Sequence, residues 1–263
     1  MDGTAKILKY EFHNILRSKW MIGYAIFFLV ITDGLFRFVG TDAKVILSLM
    51  NIILAVIPLA SIIFGAMYVY HSREFIELLL SQPIGRKNIY WGIYCGLSLT
   101  LSAGFVAGTG LPFLLEGVID AEYLSALMLL LTAGVLLTWI FTALAFWIAV
   151  RYEDKVKGIG AAMLIWMFFT VVYDGFILLV IYWFDDYPLE PAIIGMSLAN
   201  PVDLARVMLL LKFNVSAMMG YTGAVFHQFF SASTGLGVSL SVLILWAVTP
   251  FLLGLRYFQK KDF

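Results

Sequence analysis

HSREFIELLLSQPIGRKNIYW, residues 71–91, sets Arg73, Glu74, Glu77, Arg86 and Lys87 between an apolar run that ends at Tyr70 and another that begins at Tyr90. A hydrocarbon core about 30 Å thick takes roughly 20 apolar residues in a helix. Both flanking runs reach that length, so the charged stretch reads as a connection between two membrane spans. Within it, Phe75, Ile76, Leu78, Leu79 and Leu80 make an apolar side with Glu74 and Glu77 polar, and Gln82-Pro83 and Gly85 then impose a stop and a turn. The pattern predicts a short amphipathic helix with the form of a handle, something a partner outside the bilayer grips and pushes. An ordinary connection between spans also carries basic residues, but it needs neither the helix nor the hard stop.

The composition points the same way. Of 263 residues, 62% are hydrophobic and only 13% charged, with a mean hydropathy of +0.94, against about 25% charged in soluble domains. Spans are predicted at roughly 20–39, 47–70, 90–114, 123–150, 158–183 and 235–256. Residues 4–18 put Ile7, Leu8, Phe12, Ile15 and Leu16 on one side of a helix and Lys6, Lys9, His13 and Arg17 on the other. This predicts an interfacial amphipathic helix, with Glu11 the exception inside the apolar arc. The charged N-terminal stretch lacks a short apolar core with a small-residue cleavage site, so no removable signal peptide is expected. No internal repeat or second hydrophilic domain is visible, and residues 1–263 read as a single membrane domain.

Charge placement sets the topology. Thirteen of the 17 Lys and Arg residues fall in the N-terminus, the 71–91 stretch, the 151–157 loop and the C-terminus. Only Arg37, Lys44, Arg206 and Lys212 fall on the other side. The positive-inside rule then puts both termini and the 71–91 stretch in the cytoplasm. The fold class is all-α, a polytopic protein of six transmembrane helices preceded by the interfacial helix.

The long outer connection, 185–234, opens acidic with Asp185, Asp186 and Glu190 and continues ANPVDLARVMLLLKF. Asn200 is suited to N-cap a helix, Pro201 to open it, and Asp203 to favour its positive end. Leu204, Val207, Met208 and Leu211 recur at i, i+3, i+4 and i+7, which predicts an amphipathic helix lying on the outer membrane face. It is either a plain surface or re-entrant helix or a docking surface for an external partner. The segment 216–237 is either a loop or an early part of the sixth span.

Chemistry-bearing motifs are few. There is no G-x-x-x-x-G-K-[ST] phosphate loop and no H-E-x-x-H, so no catalytic residue is assigned. The one cysteine, Cys95, excludes a disulfide within the chain. His13, His71 and His227 with Met218 and Met219 offer ligand types that suit copper. Adjacent methionines on a helix point apart, however, and no metal site is assigned. A net charge of zero gives no argument for nucleic acid. Asp174 lies deep in the fifth span, where an unpaired charge costs about 2.5–3.5 kcal/mol on insertion scales. It is either a polar contact at a helix or subunit interface or a protonated or Tyr-bonded packing lock. Asp33 and Arg37 are spaced for an i,i+4 pair.

Together, the K-x-E of the N-terminal helix (Lys9, Glu11), the hairpin closed by Glu77-Leu78-Leu79-Leu80-Ser81 with Pro83 and Arg86, and the six spans resemble the membrane subunit of a type-2 ABC transporter. The resemblance covers essentially the whole chain. It implies that Arg73–Pro83, with Arg73, Glu74, Glu77, Ser81 and Pro83, is the coupling helix that docks on a separate ATPase chain. Phe75-Ile76-Glu77 stands where that family usually has a Gly-Thr pair. WIFTALAFWIAVRYEDKVKGIGAA, VVYDGFILL and SLANPVDLARV, in that order, resemble more narrowly the permeases of nitrous-oxide reductase maturation transporters.

That narrower resemblance implies a multi-pass homodimer in the lipid of a bacterial inner membrane. It further implies a cytoplasmic NosF-like ABC ATPase that holds ATP and magnesium, and a periplasmic, solenoid-like, NosD-like protein that handles copper. Asn200, Pro201, Asp203 and Arg206 would then face the periplasmic partner, and this chain would bind no cofactor itself. Two other functions fit parts of the pattern. One is a type-2 permease that exports a lipid, peptide or drug. The other is an ion-driven secondary transporter, which commonly shows inverted repeats that are not visible here.

Overall fold

The computed structural model describes residues 3–16, 18–39, 42–117, 121–184, 189–213 and 232–261, and every regular element among them is helical. In chain order these are α1 (Gly3–Leu16), α2 (Lys19–Val39), α3 (Asp42–His71), α4 (Arg73–Leu80), α5 (Arg86–Leu115), α6 (Ala121–Arg151), α7 (Lys155–Met167), a π-helical turn (Phe168–Val172), α8 (Tyr173–Trp183), α9 (Glu190–Ala199), α10 (Pro201–Phe213) and α11 (Ala232–Lys260). Six segments among the described residues are long and apolar enough to cross a membrane: Lys19–Val39, Lys44–His71, Arg86–Leu115, Tyr123–Arg151, Lys155–Trp183 and Thr234–Lys260. They coincide with the six predicted spans, and the differences lie at the ends. The third span begins at Arg86 rather than Tyr90 and the fifth at Lys155 rather than Gly158. Long cationic side chains continue a helix while their heads reach for water.

In a bilayer, packing between helices rests on close van der Waals fit, which small residues permit. The central pair is α3 with α6, where a Cβ added at Gly65 would sit 2.7 Å from that of Ala145. Ile53, Ile57 and Ile62 from α3 and Leu137, Phe141 and Ala145 from α6 are fully buried. The last span, α11, lies on α6, and Gly254 leaves room for the Tyr90 ring. Tyr90 meets Phe251 and Phe258 at centroid distances of 5.4 and 5.3 Å. On the other flank α2 settles on α5 through Gly104 and Gly108. Helix α1, predicted to be interfacial, buries Ile7 and Ile15 and leaves Lys9 and His13 exposed; the side chain of Glu11 is outside the described set. Asp33 and Arg37 pair at 2.7 Å, as their spacing predicts.

The fifth span is the peripheral one. Val171, Phe176 and Leu179 are exposed along it, whereas Tyr173 and Ile177 face inward. Next to it, α9 and α10 meet at a bend of 112°, so the pair turns back on itself. The helix predicted to lie on the outer membrane face does not do so. α10 is inserted against α3, α6 and α11, and Val202, Ala205 and Leu209 are buried along with Leu204, Val207, Met208 and Leu211. Apolar residues on every side of this helix, not on one stripe, draw it into the bundle. Asp185, Asp186, Met218, Met219 and His227 lie outside the described residues, and the sixth span is described from Ala232 onward.

Candidate functional site

The 71–91 stretch builds a short helix with two different faces. Ile76 and Leu79 are buried beneath α4, and Phe75 stacks on Tyr10 of α1 with ring centroids 5.9 Å apart. Glu74, Glu77, Leu78, Ser81, Gln82 and Pro83 are exposed. Positions 74, 78 and 81 share a helical face at i, i+4 and i+7, so Leu78 belongs to the outward surface and not to the apolar side predicted for it. Glu74 sits in the first turn, where a carboxylate favours the positive end of the helix dipole. The Ser81 hydroxyl donates to the Leu78 carbonyl at 2.7 Å and helps close the last turn.

Arg73 faces the other way. Its guanidinium donates to the Tyr152 carbonyl at 3.2 Å and lies 5.1 Å from the centre of the Tyr70 ring, and the Tyr70 hydroxyl donates to that same carbonyl at 2.9 Å. Gly158 makes this possible, because a Cβ there would run into the Tyr70 hydroxyl. Tyr152 joins α6 to α7, and Asp154 caps α7 by accepting from the Val156 N–H at 2.8 Å. Arg73, predicted among the docking residues, is therefore the tie between α4 and the start of the fifth span.

Two more cations at this end hold helix C-termini, whose last carbonyls lack partners of their own. Arg86 donates to the carbonyls of Gln259 and Lys261 at 3.0 and 2.7 Å, and Lys261 donates to that of Val150 at 2.9 Å. Burial, with the nearby Arg73 charge, pushes the Lys261 ammonium below its usual range, and Glu153 opposes that shift.

A second polar cluster lies in the far half of the bundle, where the fifth span widens at Phe168–Val172. Such a π-helical turn leaves a carbonyl without its ordinary helical donor, and such turns are frequent at functional positions. Here Asn200 Nδ2 donates to the Phe169 carbonyl at 2.9 Å, while its Oδ1 accepts from the Val202 N–H at 2.9 Å. One buried side chain thus caps α10, as predicted, and fills the bond left open by the wide turn. The C-terminal carbonyls of α9 find side-chain donors as well. Tyr173 donates to the Met196 carbonyl at 2.8 Å and Trp246 to that of Leu198 at 3.1 Å.

Arg206 Nη1 lies 3.1 Å from Asp174 Oδ2 and 3.5 Å from Asp203 Oδ1. The structure therefore pairs Asp174 with an arginine 32 residues away, not with a tyrosine. Asp203 is 2% exposed, and its carboxylate meets the buried Ser197 hydroxyl as well as Arg206. Asn200, Pro201 and Asp203, predicted to face an external partner, are buried within the chain, and only Arg206 is partly exposed. Among the described residues no three His, Cys, Asp or Glu side chains converge as metal ligands.

Asn200→Ala should destabilise the chain by about 2–4 kcal/mol, since it removes a cap worth about 1 kcal/mol and orphans a buried carbonyl at about 1–3 kcal/mol. Asn200→Ser restores only the cap and should recover the smaller part, as read by thermal unfolding in detergent. Wild-type melting of Asn200→Ala would show that the wide turn does not depend on this residue.

A family model described as ABC-2 family transporter protein matches residues 5–263. The chain is 25% identical to the probable ABC transporter permease protein NosY of Stutzerimonas stutzeri, over 99% of each chain. It is also 25% identical to the protein of the same name in Pseudomonas aeruginosa, over 97% of each.

Proposed function

The chain belongs to the ABC-2 transporter family, and from that premise we propose that it is the membrane subunit that converts ATP hydrolysis on a separate cytoplasmic ATPase into movement at the opposite membrane face. The observation that carries this reading is the divided role of α4. Its exposed face, with Glu74, Glu77, Leu78, Ser81 and Pro83, is open to a partner, while Arg73 at its first turn grips the Tyr152 carbonyl. A push on α4 is thereby delivered to the start of the fifth span. That span in turn holds the α9–α10 hairpin through Asn200, Tyr173 and the Asp174–Arg206 pair. Packed helices and hydrogen-bonded networks of this kind transmit displacement because they have few alternative arrangements.

The ATPase is NosF-like and carries ATP and magnesium, and two copies of the permease stand above its dimer in the bacterial inner membrane. On the outer side a NosD-like, solenoid-like protein reads the position of the hairpin, and the chain serves the copper loading of nitrous-oxide reductase without holding copper itself. Because Asn200, Pro201 and Asp203 are buried, the partner engages the exposed edge of α9 at Pro191, Ala192 and Gly195 together with Arg206. Affinity purification from the native membrane, with identification of the accompanying chains, tests this. An ATPase with a periplasmic solenoid-like protein is the expected result. An ATPase alone would instead favour the export of a lipid, peptide or drug, and the absence of both would overturn the coupling role.

A further inference from the structure

The first span leans on the third and stands off from the second. At Gly104 and Gly108 a Cβ would strike Met21 or the Ala25 carbonyl, so α2 and α5 are in close contact there. On the α3 side Trp20, Tyr24 and Phe64 hold the helices apart. The resulting cleft has two adjoining lobes of about 640 and 670 Å³ that share those three side chains. His71 at one end and Val56 at the other lie fifteen residues apart on α3, which is about 22 Å at 1.5 Å per residue. That exceeds the roughly 15 Å of hydrocarbon in one leaflet.

Polar groups gather where the spans begin. Among the described residues, Asn14, Ser18, Lys19 and His71 line the mouth. Deeper in, the walls are apolar apart from the hydroxyls of Tyr24 and Tyr68. The Tyr24 side chain is 6% exposed, and its hydroxyl is buried with no hydrogen-bond partner among the described residues. Buried hydroxyls are ordinarily bonded, so this one is left short of an acceptor. Trp20 beside the mouth is the residue type that sits at the headgroup boundary.

We propose that this cleft binds a diacyl phospholipid with an anionic headgroup, taken from the leaflet on the side of the chain termini. One acyl chain fills each lobe, the Tyr24 hydroxyl donates to an ester oxygen, and the phosphate lies beside Lys19. The bound lipid joins α1 and α2 to α3. Since Tyr10 of α1 stacks on Phe75 of α4, occupancy steadies the coupling helix as well. The inference rests on the six-span membrane reading and not on which partner the transporter carries.

Native mass spectrometry of the purified transporter, incubated with equal amounts of phosphatidylglycerol and phosphatidylcholine of one acyl length, provides the test. One phosphatidylglycerol per copy of this chain should survive collisional delipidation. Tyr24→Phe, which removes a single oxygen, should retain about three- to tenfold less, and Lys19→Gln should lose the preference for the anionic lipid. Gly23→Leu, at a position where nothing lies within 4 Å of an added Cβ, should reduce retention by filling the second lobe. Equal retention of both lipids by the wild type would mean annular lipid only and would overturn the proposal. So would unchanged retention in both Tyr24→Phe and Gly23→Leu. A disulfide formed between two copies carrying Trp20→Cys would make a second copy the occupant and overturn it equally.

Discussion

Arg206→Ala should lower the apparent melting temperature of the chain by loosening the α9–α10 hairpin. The guanidinium serves two carboxylates, and one of them, Asp203, is almost completely buried. Removing one partner of a buried ion pair leaves an uncompensated charge and costs about 3–5 kcal/mol. Either carboxylate can escape part of that cost by taking up a proton, so the low end of that range is expected. At about 2–4 °C per kcal/mol for a chain of this size, the shift should be roughly 6–12 °C in a fluorescence-monitored melt. The double change Arg206→Ala with Asp203→Asn should recover much of it, because the stranded charge is gone. If the single variant melts with the wild type, the three side chains do not form the energetic unit that their distances describe.

Glu77→Lys should act at the opposite end and in the opposite manner, leaving melting unchanged while the ATPase is lost. Glu77 is exposed, and among the described residues its side chain has neither a hydrogen bond nor an ion pair within the chain, so folding has little stake in its carboxylate. At a docking surface, however, like charges set against one another cost several kcal/mol, which corresponds to more than tenfold in affinity. Copurification of the ATPase should fall below about a tenth of wild type, and stimulation of its hydrolysis should fall with it. Undiminished copurification would remove the exposed face of α4 as the docking surface. Together the two variants separate a residue that holds the subunit together from one that holds the complex together.

The spans were legible because each is a long apolar run bounded by charge, and the two-faced helix at 71–91 was legible from its stop at Pro83. What escaped the sequence depends on contacts between distant segments. FFTVV is an ordinary apolar pentapeptide, and nothing in it marks a widened turn. That turn is recognisable only where Asn200, 31 residues on, supplies the missing bond. The Asp174–Arg206 pair was hidden for the same reason, since Arg206 was counted with the outer surface and Asp174 with the membrane interior.

Two misreadings, by contrast, had signals available. Val202, Ala205 and Leu209 make α10 apolar beyond a single stripe, and Leu78 shares its face with Glu74 and Ser81. Both follow from counting every face of the helix and not only the face that first shows a pattern.

The π-helical turn has one more consequence. An α-helix advances about 100° per residue, and a single extra residue taken up in a wide turn resets the angular phase of everything that follows it. Asp174 and Tyr173 come immediately after Phe168–Val172. Their bearing toward Arg206 and the Met196 carbonyl is therefore a phase chosen by that extra residue. Were the turn to tighten into regular helix, Asp174 would swing by about a quarter of a revolution, away from its counter-ion. The register of the fifth span beyond Phe168–Val172 is thus tied to a turn that Asn200 completes.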